Sequence, residues 1–213
     1  ADFKLKFFFQ IIVAKILIDQ GFVITNYYGF LGIENVPWLV AQLTTVFVFL
    51  VVINSINFID GIDGLAITEF IKIILIIEYF KTYNNSILFL GLVVIASAIP
   101  LYYFNFKKRK KIFLGDGGSL FLGTLVMIFL LSLLNEKTLL HENTNKFMLS
   151  IVTLNYPLID TLRVFTLRIK NGKSPFIADN NHIHHKLLKM GFSHYQVILI
   201  IQVISLIPIL FFI

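Results

Sequence analysis

Apolar residues in this chain run in long stretches separated by short polar gaps. Stretches at about 7–25, 38–56, 65–80, 86–104, 118–134, 147–167 and 196–213 each approach the roughly 20 residues that a spanning helix needs. The residue-by-residue alternation of a barrel strand is missing. Backbone in lipid must satisfy its own hydrogen bonds, so helices are the expected state. The pattern predicts an all-α fold: a polytopic membrane helical bundle of about seven transmembrane helices, forming a single domain over 1–213. No internal repeat or low-complexity linker interrupts it. The third stretch is short and carries Lys72 near its middle; neither Lys72 nor Lys15 has an obvious carboxylate partner at depth. Tyr27-Tyr28-Gly29, Pro37-Trp38 and Tyr83-Asn84-Asn85 place turn formers and aromatic rings at the junctions, as an interfacial belt does.

Composition supports the same reading. Hydrophobic residues make up 57% and charged residues 14%, where a soluble domain carries about a quarter charged. The bilayer must therefore act as solvent. The net charge of +6 would suit nucleic acid, but the basic residues sit in the gaps between apolar runs and line no amphipathic face. Lys4, Lys6, the run Lys107-Lys108-Arg109-Lys110-Lys111, Arg168, Lys170, Lys173, Lys186 and Lys189 all fall on one side of the membrane. Lys81, Lys137 and Lys146 fall on the other. The basic side is expected to be cytoplasmic. The basic run reads first as a topological anchor, with attraction for anionic headgroups or a lipid phosphate as the alternative. Cysteine is absent, which excludes disulfides and thiolate metal sites. The chain begins Ala1-Asp2 without methionine, and reads as a piece of a longer protein.

The unusual polar residues cluster on the basic side. The first cluster is Asn54, Asn57, Asp60 and Asp63, leaving the second stretch. Their three-residue spacing puts them along one helix face, and Gly61 and Gly64 let backbone approach a ligand. Oxygen groups of this kind suit a hard cation such as Mg²⁺, and a solvated Asp-Gly turn is the plainer alternative. The second is Gly115-Asp116-Gly117-Gly118-Ser119 at the start of the fifth stretch. There glycine exposes backbone amides to a phosphate, and Asp116 can also cap the helix. The third is Ser174-Pro175-Phe176 through Asp179, His182, His184 and His185. Its histidines invite a zinc reading. However, His184 and His185 are expected to point apart on a helix and no cysteine completes a set. Imidazoles facing a sugar and pyrophosphate fit better. Asp160 and Arg163 read as an ion pair ahead of a substrate contact. His141 and His194 read as isolated surface residues.

On these residues the sequence resembles the polyprenyl-phosphate N-acetylhexosamine-1-phosphate transferase family. The resemblance rests on Asn57-Phe-Ile-Asp60-Gly-Ile-Asp63-Gly-Leu-Ala, Gly115-Asp116-Gly-Gly-Ser119 and His182-Ile-His184-His185, in that order and on the expected side. The start Lys4-Leu-Lys6-Phe-Phe-Phe-Gln10 is similar to the stretch that follows the family's paired-aspartate loop; the pair itself and the spans before it are not in this chain. The Ser174-Pro175-Phe176 to His185 form is similar to the branch that initiates lipid-linked O-antigen, enterobacterial common antigen or teichoic acid units. The resemblance implies transfer of a sugar-1-phosphate from a UDP-sugar to undecaprenyl phosphate with release of UMP, at the cytoplasmic face of the bacterial inner membrane. It implies Mg²⁺, with Mn²⁺ as an alternative, held by Asp116 and Asn57. It assigns catalytic roles to Asp60, Asp63 and Asp116, and substrate contacts to Lys6, Asn54, Asn57, His182, His184 and His185. Partners are the two substrates and the bilayer, with a homodimer as an alternative to the monomer and no nucleic acid. Two other classes stand beside it: a cation-coupled transporter, which needs ionisable residues near mid-bilayer, and a non-catalytic or inactive membrane subunit.

Overall fold

The computed structural model describes residues 3–81, 85–107, 109–136, 139, 144–175 and 180–212, with backbone alone at 3 and 85–89. Asp2, Tyr83, Asn84, Lys108, Lys137, His141, Phe176 and Asp179 lie outside the described residues. The apolar stretches become helices α1 (Phe3–Asp19), α2 (Trp38–Ile59), α3 (Leu65–Phe80), α4 (Asn85–Asn105) and α5 (Gly115–Leu134). After them come α6 (Lys146–Thr153), α7 (Asn155–Lys170), α8 (Ile183–Lys189) and α9 (His194–Leu206), which runs on as a 3₁₀ segment, Ile207–Phe212.

The fold is mostly helical, as expected, with two departures from seven continuous spans. Residues Asn26–Phe30 and Ile33–Asn35 pair as antiparallel strands β1 and β2. The chain reverses there through positive φ at Tyr28, Gly29, Leu31 and Gly32, two of them glycines that adopt it without a Cβ clash. The sixth stretch is also broken, at Leu154. Pro157 lacks the N–H that would bond the Thr153 carbonyl, and Asn155 turns its amide to the Ser205 carbonyl in α9, at 2.7 Å. Among the described residues, Trp38–Ile59, Gly115–Leu134 and His194–Phe212 are long and apolar enough to cross a membrane, and Leu90–Asn105 is a shorter apolar helix.

Helix α2 packs on α1, α5 and α7, while α3 packs on α4 and α5. Helix α3 is enclosed except along the face of Leu75 and Tyr79, with Phe70, Ile73, Ile74, Ile77 and Phe80 shielded from solvent. Large apolar side chains are exposed on the outer faces, among them Leu43 and Phe47 of α2, Phe121 of α5 and Leu199 and Val203 of α9. A surface of that kind needs lipid to cover it. Inside the bundle, Lys72 does have a carboxylate partner: Glu69, at 2.6 Å, one helical turn earlier. Gln202 and Ser205 of α9 complete the pair's hydrogen bonds. Lys15 likewise meets Asp19, at an exposed position.

Candidate active site

The close crossing of α2 and α5 builds the site. A Cβ on Gly123 would lie 2.8 Å from the Ile53 Cα, so the missing side chain lets the two backbones touch. The helices run antiparallel. One turn along, Asn57 Nδ2 therefore meets Ser119 Oγ at 2.7 Å and Asp116 Oδ1 at 3.4 Å. A further turn brings Asp60, at the C-terminal end of α2, beside the first turn of α5. Helix α1 completes this side. Lys6 forms an ion pair with Asp116, and Gln10 exchanges amide hydrogen bonds with Asn54 at 2.8 and 3.3 Å. Asn54 is thus one turn deeper than Asn57 and is bonded to Gln10 and to the Leu50 carbonyl.

Asp60 sits among like charges. Burial, then the carboxylates of Asp116 and Asp63, push its pKa up to about 7. Asp63 itself turns to protein partners, Lys111 Nζ at 2.6 Å and His194 Nδ1 at 3.1 Å. His194, which the sequence presents as isolated, therefore ties the start of α9 to the α2–α3 turn. Gly64 holds that turn at φ +78°, and its N–H donates to Asn105 Oδ1 at 2.6 Å. A side chain there would strike Phe106.

The histidine segment reaches the same turn. A Cβ on Gly61 would lie 2.4 Å from His184 Nε2 and 3.2 Å from His185 Nε2. The two adjacent histidines do not diverge as expected; their rings are 4.3 Å apart and both reach Gly61. His184 is fully buried, and burial followed by His185 and His182 drives its pKa down to about 3, so the ring is neutral. Tyr156 OH lies 3.3 Å from its Nδ1. His182 is stacked on His184, with ring centroids 5.4 Å apart, and its Nδ1 meets Asp160 Oδ2 at 2.8 Å. Asp160 also pairs with Arg163 at 2.8 Å.

Asp60, Asn57, Asp116 and Lys6 therefore converge, and His184 and His185 close over the adjoining turn. Asp63 borders the cluster but is engaged elsewhere, Asn54 lies one turn deeper on α2, and His182 stacks on His184. Ser119, Gln10, Lys111 and Tyr156 join as residues to which the sequence assigned no role in the site. Ser119 was findable, since it lies three residues after Asp116 and shares its helix face. The carboxylate of Asp116 and the hydroxyl of Ser119 are oxygen donors of the kind a hard cation takes, while Asn57 turns its amide nitrogen to both and Lys6 holds the other Asp116 oxygen. Among the described residues no three carboxylate or imidazole groups form a metal cage.

Comparison with known proteins covers this constellation. A family model described as "Glycosyl transferase family 4" matches residues 1–134, from α1 through α5. The "Probable undecaprenyl-phosphate N-acetylglucosaminyl 1-phosphate transferase" of Bacillus subtilis (strain 168) is 34% identical over 96% of this chain and 56% of its own length. A "Decaprenyl-phosphate N-acetylglucosaminephosphotransferase" of Mycobacterium leprae (strain TN) is 29% identical over 94% of this chain and 55% of its own. The "Undecaprenyl-phosphate alpha-N-acetylglucosaminyl 1-phosphate transferase" of Escherichia coli (strain K12) is 32% identical over 74% and 43% respectively. The chain spans about half the length of the curated relatives it matches.

Proposed function

Because this chain belongs to glycosyl transferase family 4, we propose that it carries the phosphoryl-transfer site of an enzyme that moves N-acetylhexosamine-1-phosphate from a UDP-sugar to undecaprenyl phosphate. In the net transfer an oxygen of the lipid phosphate becomes bonded to the sugar-bearing phosphorus. The pyrophosphate P–O bond breaks, and UMP leaves with the bridging oxygen. The product would initiate lipid-linked cell-envelope polysaccharide synthesis at the cytoplasmic face of the bacterial inner membrane. The observation that carries this reading is the meeting of Asn57, Asp60, Asp116 and Lys6, drawn from three helices, beneath His184 and His185.

Phosphoryl transfer depends on positioning and charge compensation more than on covalent chemistry. Lys6, paired with Asp116 in this structure, would meet a phosphate oxygen. Asp60 and Asp63 shape the nucleotide end of the site. His184, neutral and fixed, and His185 contact the sugar-pyrophosphate together with His182. Asp116 and Asn57 would hold Mg²⁺, or Mn²⁺, which when bound offsets the repulsion between the two anionic substrates. The test is full-length protein carrying Asp116→Asn, assayed for Mg²⁺-dependent UMP release from UDP-N-acetylglucosamine in the presence of undecaprenyl phosphate. Loss of release supports the reading, and near-wild-type release removes Asp116 from the site.

The buried Glu69–Lys72 pair gives a cation-coupled transporter a second hearing, since such proteins keep ionisable groups at depth. Both groups are already bonded to each other and to α9, which suits a structural role. Substrate-dependent ion flux into proteoliposomes without UMP release would favour the transporter.

A further inference from the structure

We infer that Asp160 is the positioning residue for the histidine segment: it fixes the ring of His182, and through it His184, against the turn that carries Asp60. The segment needs such a hold. Helix α8 spans Ile183–Lys189, too short to be stable alone, so tertiary contacts must set its place. Asp160 is fully buried on α7, where a carboxylate is tolerated only when paired and hydrogen-bonded. Its Oδ1 accepts from Arg163 Nη2 at 2.8 Å and from the Ile183 backbone N–H at 3.0 Å. Its Oδ2 accepts from His182 Nδ1 at 2.8 Å. Two of its three donors thus belong to the histidine segment, while Arg163 balances the charge.

The consequence is geometric and chemical. A carboxylate on Nδ1 holds the proton there and leaves Nε2 as the nitrogen that accepts or exchanges one. Phe58 of α2 flanks the His182 ring at 6.3 Å, and His184 stacks on it at an interplanar angle of 11°. His184 in turn fills the space left by the missing side chain of Gly61. Position is therefore passed from Asp160 to His182, to His184, to the turn next to Asp60. The sequence pairs Asp160 with Arg163 from their spacing, but nothing in it joins Asp160 to a residue 22 positions later.

The kinetic half of this inference rests on the transferase reading, whereas the positional half does not, and the test keeps them apart. Full-length wild type, Asp160→Asn and Arg163→Gln are treated with diethyl pyrocarbonate, and carbethoxylation of His182 and His184 is followed by mass spectrometry. The same preparations are assayed for UMP release. In Asp160→Asn, both histidines should be modified faster, and kcat should fall by about tenfold or more, the loss usual when the partner orienting a working imidazole is removed, with a smaller change in KM. Arg163→Gln keeps the bonds from Asp160 to His182 and Ile183 but loses Arg163's own bond to the Asn181 carbonyl, at 2.5 Å, and should be modified at a rate between wild type and Asp160→Asn. Equal modification of wild type and Asp160→Asn overturns the inference, as does an Arg163→Gln profile identical to that of Asp160→Asn. If wild type releases no UMP, the transferase reading fails while the modification rates still decide Asp160's role. Should Asp160→Asn not fold, ¹⁵N-histidine NMR of wild type decides, with the resonance assigned by its loss in His182→Gln. A His182 ring whose Nδ1 carries a proton is expected, and one whose Nδ1 carries none overturns the inference.

Discussion

Replacing Gly61 by alanine probes the contact on which the two halves of the site depend. The added Cβ would stand 2.4 Å from His184 Nε2, where ordinary contact begins at 3.4 Å, so the ring or the turn must give by about 1 Å. His184 has little room to move, being fully buried, stacked on His182 and beside Tyr156. It is not the free end of a flexible chain. Overpacking of this kind costs about 1–3 kcal/mol of stability. A displacement of about 1 Å between groups that must meet one substrate costs on the order of a hundredfold in rate. Gly61→Ala in the full-length protein should therefore fold, with a modest loss of thermal stability in detergent, and lose UMP release by about that factor. Wild-type turnover with unchanged stability would refute the placement of the histidine segment against this turn.

Other perturbations read different parts of the fold. Gly123→Ala drives a methyl into the Ile53 backbone, 2.8 Å away; since backbone cannot swing aside, it should cost about 1–3 kcal/mol in detergent unfolding and separate Asn57 from Ser119. Lys72→Met strands the buried Glu69 carboxylate and should cost about 3–5 kcal/mol, whereas Glu69→Leu with Lys72→Met should cost far less, and the same unfolding assay checks both. His184 titrates near 3 in the folded chain against an ordinary 6.5. The folded state thus binds fewer protons between those values, and stability falls as pH drops through that window; His184→Asn should flatten the loss of unfolding temperature between pH 7 and pH 5.

Much of this architecture was legible in the chain. The apolar run 65–80 is α3 to the residue, and the runs near 38, 86 and 118 start helices within a few positions of the expected points. Bilayer solvation leaves helix as the one cheap state for such runs. The hairpin at Asn26–Asn35 escaped because two short strands leave no periodic signal, and the break at Leu154 depended on where Asn155 found its partner. Glu69 and Lys72, three apart on one helix, were a readable pair that the isolated reading of Lys72 overlooked. At the site, the three motifs announced themselves by polarity at one membrane side. Their joining did not: Asn57 with Asp116, Gly61 with His184 and Asp63 with His194 are contacts between distant segments, set by the α2–α5 crossing and the docking of α8.

The central claim, that oxygen groups from α2 and α5 act together on one cation and one pyrophosphate, is open to direct measurement by Mn²⁺ electron paramagnetic resonance. Full-length protein titrated with Mn²⁺ and UDP-N-acetylglucosamine should show a bound ion that Asp116→Asn abolishes and Asn57→Ala weakens. Undiminished Mn²⁺ binding in Asp116→Asn would contradict the account.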